Sequence, residues 1–90
     1  QGSNVETLHR IVGGRVEALE FNVAKNCQGE LTGIPLKDLR TRKDLLIACI
    51  IRGQQIIYPG GNDTIEERDN VIVVTTGHQL QDLSDILERP

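Results

Sequence analysis

The sequence predicts an α+β fold: a small, mainly antiparallel sheet of about four strands with two helices on one face, present as a dimer. Three observations carry that expectation. Ninety residues hold one domain, and 27 of them are Ile, Val or Leu, against two aromatics, Phe21 and Tyr58. Strand-like apolar segments follow one another through short turns, which makes sequence neighbours antiparallel. Two further stretches combine helix-start chemistry with apolar residues at helical spacing.

Taken in order, residues 1–14 come first. Gln1-Gly2-Ser3 reads as a remnant of protease cleavage and cloning. Val5, Leu8, Ile11 and Val12 have helical spacing and Gly13-Gly14 ends the segment, so residues 4–14 form a short leading helix or a tether. In VEALEFNVA (16–24), Leu19, Phe21 and Val23 alternate with Ala18, Glu20 and Asn22, the period of a half-buried strand. Asn26-Cys27-Gln28-Gly29 is turn chemistry, and Leu31 adds a short strand before Thr32-Gly33.

Pro35 suits a first helical turn, where its missing N–H costs nothing, and Leu36 and Leu39 share a face of a short helix to about Arg40. LLIACIIR (45–52) is continuous and β-branched, and predicts a strand covered on both faces. Gly53-Gln54 turns it back into Gln55–Tyr58 as a hairpin, and Pro59 marks that second strand as an edge. Pro59–Asp63 is a loop, Ile65 stands alone, and Glu66–Asn70 is a polar turn before the buried strand Val71–Val74. Thr76 and Gln79 match a capping box, and Leu80, Leu83, Ile86 and Leu87 form a helical stripe.

Two strands apolar on both faces exceed what two short helices cover. A two-fold partner is the simplest remedy, and a ligand at such an interface would tie two subunits together.

Composition excludes several classes. The net charge is −3, and the isolated aromatics offer no stacking platform for a nucleic-acid polymer. No apolar run approaches the ~20 residues of a membrane span. Two cysteines, Cys27 and Cys49, lack metal or redox spacing, and Cys49 reads as a small buried apolar residue. This pattern, with no apolar leader in view, points to the cytosol.

Catalytic constellations are absent: there is no GxSxG, HExxH, P-loop or GxGxxG. Gly60-Gly61 opens no helix, so it is no phosphate cradle. His9 and His78 fall in different elements, with His78 at the start of the last helix, and neither has metal-ligand spacing. Glu66, Glu67 and Asp69 read as a solvated acidic turn, or as a weak cation site. Lys37, Arg40, Arg42 and Lys43 place four of ten basic residues within seven positions. They are a solvated helix end or an anion site. Ile34 and Pro35 beside them would supply the apolar wall that a nucleotide-sized ligand needs.

From Val16 through Leu87 the chain resembles the C-terminal regulatory domain of TrkA-type potassium-uptake proteins, the RCK-C or TrkA-C domain. Four segments carry the likeness: VEALEFNV; LTGIPLKDLRTRKDLLIACIIRGQQIIYP; Thr64-Ile65-Glu66 leading to Arg68-Asp69; and NVIVVTTGHQLQDL. Gly33, Leu36, Leu39, Ile50, Arg52, Ile57, Pro59 and Asp69 match the family pattern by order and spacing. The resemblance makes residues 15–90 the domain and 1–14 the lead-in.

It implies a cytoplasmic, non-enzymatic ligand sensor on the inner face of the membrane. Such a domain is a homodimer attached through a membrane potassium-transporter subunit, with no direct membrane insertion. A tether over 4–14 would pass a ligand-induced shift to the gate. NAD or ATP would belong only to an upstream Rossmann domain. Some members bind cyclic di-AMP across the two-fold, so the small-molecule effector here would be a cyclic dinucleotide or another nucleotide-like compound. By position its ligands would be Ile34, Pro35, Arg40, Leu46 and Pro59, with Arg40 on a phosphate and the apolar residues flanking adenine. The alternatives are a ligand-free assembly module and a regulatory domain of another ion transporter or of a transcription regulator. Two departures stand out. Leu46 replaces a residue that is often polar in nucleotide-binding members, and it cannot hydrogen-bond a base edge. Arg68 stands where Gly is frequent, which strains the chain if that position needs positive φ.

Overall fold

Alternating and continuous apolar segments here build five strands of one sheet: β1 (Ser3–Ile11), β2 (Val16–Val23), β3 (Leu45–Arg52), β4 (Gln55–Ile57) and β5 (Asn70–Thr75). Their order is β1-β2-β5-β3-β4, with every neighbouring pair antiparallel. The computed structural model describes residues 3–11, 13–24, 31–77 and 79–89. The expected turn at Asn26–Gly29, Cys27 and His78 lie outside them.

Register sorts the side chains into two faces. On the core face, Leu19, Val73 and Ile47 lie in one row, and Phe21, Val71, Ile50 and Ile57 in the next. Phe21, Ile50, Val71 and Val73 are fully buried there. A bulge between Ile47 and Cys49 resets the alternation of β3, so that Leu45, Ile47 and Ile50 all reach this core. A continuous apolar run conceals that device, because every residue in it suits either face.

On the opposite face the rows are Ala18–Val74–Leu46, Glu20–Ile72–Cys49 and Asn22–Asn70–Ile51–Ile56. No element of the described chain covers it: Leu46 is 62% and Ile56 55% exposed. The expectation that β3 is covered on both faces therefore fails within one chain. The suspicion that one sheet face lacks cover is what the structure shows. Its polar residues are confined to β2 and its junction with β5, where Asn22 Nδ2 donates to Asn70 Oδ1 (2.6 Å) and Asn70 Nδ2 to Glu20 Oε2 (2.8 Å).

Three further expectations are corrected. Residues 3–11 form neither a helix nor a loose tether but a fifth strand, paired with β2 along its length. Gly13 and Gly14, at φ 67° and 85°, reverse the chain, and the ladder gained with β2 outweighs the weak helical spacing. The two helices are absent as well. Residues 36–38 and 83–86 are single 3-10 turns. After the first, the backbone is claimed by the C-terminal segment: Glu88 N donates to Arg40 O (2.7 Å) and Arg42 N to Ile86 O (2.8 Å). Before the second, Gly77 sits at φ 76°, which stops a helix from Thr76. The capping box uses Asp82 and Asp85 instead of Thr76 and Gln79. Leu80, Leu83, Ile86 and Leu87 are nonetheless all buried, so the stripe marks the core correctly and the helix wrongly.

The acidic turn is not simply solvated. Asp69 is 0% exposed and takes a two-pronged ion pair from Arg52 at the end of β3, Nε to Oδ1 and Nη2 to Oδ2, both 2.9 Å. Oδ2 also accepts from Glu66 N (2.8 Å), and Arg52 Nη2 reaches Thr64 O (2.9 Å). The hydrogen bond to Asp69 raises the Arg52 pKa, against the lowering effect of burial. A raised arginine pKa contributes stability at every pH below its unfolded value, so the cation adds no pH dependence near neutrality.

Two stability predictions follow from this corner. Arg52→Ala strands a buried carboxylate and is expected to cost about 3–5 kcal/mol, more than Asp69→Asn, because Arg52 is 41% exposed and can turn to water. Urea unfolding measures both. Arg68 has φ 70°, a left-handed conformation that costs an L-residue about 1–2 kcal/mol, part of which glycine returns as chain entropy. Arg68→Gly is expected to raise the unfolding free energy by about 0.5–1 kcal/mol.

Candidate functional site

β4 runs antiparallel to β3, so the chain leaving Ile57 returns to the start of β3. This sets Pro59, Gly60 and Gly61 beside Leu45, Leu46 and Ile47. Residues 33–37 lie along the returning loop: Gly33 N donates to Ile65 O, Leu36 N to Asp63 O and Lys37 N to Gly61 O, each at 2.9 Å. Between them opens a shallow groove of ≈ 270 Å³, closed on its remaining side by Leu36, Lys37 and Thr41.

The approach of the two segments is tight. A β-carbon on Gly61 would lie 3.1 Å from Lys37 Cβ, so the lysine stem rests on the glycine backbone. Asp63 stiffens the loop: its Oδ2 accepts from Gly60 N (2.7 Å) and its N–H donates to Gly60 O (3.1 Å). Thr41 is fixed by a β-bridge to Leu87.

The sequence-derived ligand set is divided by this geometry. Leu46 and Pro59 line the groove together. Ile34 and Pro35 are half-buried just before the first 3-10 turn and outside the groove lining. Arg40 is exposed and also outside the lining; its carbonyl accepts the hydrogen bond from Glu88. Of the basic group, Lys37 is the residue that borders the groove, while Arg42 is half-buried and its Nε donates to Leu87 O (3.3 Å). The sequence singles out this group but not Lys37 within it, since the choice depends on a 3-10 turn that helical spacing does not describe. Thr41 is also a groove residue without an advance signal, and Leu36 and Gly61, noted in the sequence for other reasons, join it only through the fold.

A second open cavity of ≈ 320 Å³ shares Leu45 and Leu46 with the groove and is lined further by Asp44, Val74, Thr75 and Thr76. Leu46 thus borders both cavities and also lies on the uncovered sheet face. Among the described residues no group of His, Cys, Asp or Glu could hold a metal ion, and no helix is long and apolar enough to cross a membrane.

Residues 19–88 match the TrkA-C domain family. The chain is similar to the Trk system potassium uptake protein TrkA homolog of Archaeoglobus fulgidus, with 34% identity over 82 residues, 91% of this chain and 18% of that protein. It is 31% identical over 72 residues to TrkA homolog 1 of Methanosarcina mazei, covering 80% of this chain and 16% of that protein. The TrkA homolog of Pyrococcus abyssi is 32% identical over 74 residues, 81% of this chain and 32% of that protein. The chain thus spans less than a third of the length of each of these relatives.

The contact between Gly61 and Lys37 is open to test. Both atoms belong to backbone-anchored groups, so neither yields easily. Gly61→Ala is expected to cost about 1 kcal/mol by overpacking and to shift the Lys37 amide resonance, whereas Gly60→Ala, which meets only Asp63 Oδ2 at 3.9 Å, leaves both unchanged. Thermal unfolding and amide spectra read the difference.

Proposed function

The chain belongs to the TrkA-C domain family, and from that premise we propose that it is a regulatory, effector-binding and dimerisation domain of a potassium-uptake system, acting in the cytoplasm on a membrane transporter partner. The observation that carries this reading is the continuity of the uncovered apolar sheet face with the groove through Leu46. A second copy on that face buries Val74, Ile72, Cys49, Ile51 and Ile56 without trapping a charge, because Glu20 lies on the β2 side. An effector in the groove then touches the rim of the interface and favours one arrangement of the pair, by as much as its affinity differs between them. The shift leaves the domain through the β1–β2 hairpin in place of a tether.

The reading suits a sensor better than an enzyme. The Arg52–Asp69 pair is committed to the corner of the sheet and the Arg10–Glu17 pair is exposed on the β1–β2 hairpin, and neither lines the two cavities described above.

Sedimentation of the chain over a range of concentrations tests the interface. Self-association is expected, and Ile56→Lys is expected to abolish it while leaving the circular dichroism spectrum unchanged, since the side chain is already 55% exposed. A wild-type chain that stays monomeric to millimolar concentration sinks the dimer reading.

A further inference from the structure

We propose that the groove is a strand-addition site, in which a short extended segment of a partner protein pairs with the open edge of β3. This goes beyond the effector reading, because it names a partner chain in place of a small molecule, and it does not depend on the dimer. The register identifies the edge. Thr76 N donates to Asp44 O (3.0 Å), so Asp44 and Thr76 form a hydrogen-bonded pair, and two residues on Leu46 and Val74 form the next. Leu45 and Ile47 therefore turn their N–H and C=O away from β5. β4 does not reach them: its pairing with β3 ends at Ile50 and Ile57, and Pro59 has no N–H to continue it. Among the described residues nothing engages these groups, nor the Gly61 N–H on the facing wall.

A donor and an acceptor at each of two alternate residues are what an extended chain satisfies with its own backbone. The opening is short: Asp44 is left-handed (φ 64°) at one end, and the β3 bulge follows Ile47 at the other. About 10 Å of strand admits a tail or a loop. It falls short of holding a folded second copy, whose interface needs about 1,200 Å² or more. The β1 edge suits a partner less well, because its bulge between Val5 and Thr7 interrupts the ladder that a partner would extend. Pairing also sets the chemistry of the segment. Residues opposite Leu45 and Ile47 place their side chains on the core face near Leu36 and Pro59, and the residue between them lies beside Leu46 on the uncovered face. Those surroundings are aliphatic, so the three central residues of the segment are uncharged and β-branched.

Amide hydrogen exchange of the chain, with and without the capped peptide acetyl-Thr-Val-Ile-Val-Thr-amide, decides the matter. In the free chain the Leu45 and Ile47 amides are expected to exchange at least about tenfold faster than that of Leu46, and the peptide is expected to slow both by at least about tenfold. N-methylation of both valines, which removes the donors opposite Leu45 and Ile47, is expected to weaken binding at least about tenfold, the loss of two backbone hydrogen bonds. Ile56→Lys, on the uncovered face, is expected to leave the affinity unchanged. Full affinity of the N-methylated peptide overturns the strand pairing. Loss of binding in Ile56→Lys means that the peptide coats the sheet face, and protection of β1 amides means that it takes the other edge; either overturns the site. Protection of Leu45 and Ile47 that grows with chain concentration before any peptide is added means that a second copy holds the edge, which overturns the occupant. No protection with the peptide overturns the proposal and leaves the dimer and effector readings standing.

Discussion

The paired hydrogen bonds between Arg52 and Asp69 hold the corner on which the rest of the sheet depends. Asp69 immediately precedes β5 and Arg52 closes β3, so the pair fixes where the central strand starts against its neighbour. The backbone of the same turn joins β2, with Val23 N donating to Asp69 O (2.8 Å) and Arg68 N to Val23 O (2.7 Å). Three strands thus meet at one buried carboxylate. A buried charge is tolerable only when its acceptor sites are filled, and here Arg52 and the Glu66 amide fill them. The left-handed conformation at Arg68 is the cost of turning the chain into that position.

The corner also decides where the groove lies. β4 carries the chain away from Arg52 and toward the start of β3, and the chain must then return to Asp69. The return path of residues 58–69 is held at its far end by the 33–37 segment and near the corner by the contact of Arg52 with Thr64 O. Stability at one end of β3 and a candidate ligand surface at the other are therefore linked through one loop. The ion pair's value lies in specifying register as much as in its net energy.

Much of this was legible in the sequence because burial writes itself into period. Alternation in 16–24 and β-branching in 45–52 and 71–74 mark β2, β3 and β5, and Gly53 with Pro59 frames β4 as an edge. Most of the failures trace to competition from long-range backbone pairing. β1 has too little pattern of its own and is a strand only because β2 is beside it. Residues 40–42 and 86–88 give up helix to pair with each other, a choice made 45 residues apart that neither segment announces. The β3 bulge is invisible where every residue is apolar. Of the candidate site, Leu46 and Pro59, taken from the resemblance, lie on one groove, and Lys37 belongs to the basic group that the sequence singles out. Arg40 enters the candidate set through the resemblance alone, and the structure places it outside the groove lining.

The aliphatic excess takes its meaning from the two faces of the sheet. Among the described residues, twelve buried apolar side chains close the inner core. Leu36, Leu39, Leu45, Ile47 and Ile57 pack against that core, while Leu46, Ile51, Ile56, Ile72 and Val74 lie on β3, β4 and β5 of the outer face and Glu20, Asn22 and Asn70 hold the β2 side. An evenly apolar outer face would have no preferred orientation for a partner. This graded one sets an apolar half beside a hydrogen-bonded polar margin, so a second copy gains most when the β3–β4 halves oppose each other. Leu46 lies at the end of that half and at the mouth of the groove. In the dimer proposed above, a side chain that borders both the interface and the groove would couple them by packing alone, with no need for a relay of polar groups. That is how a domain poor in catalytic chemistry can still transmit the presence of a ligand.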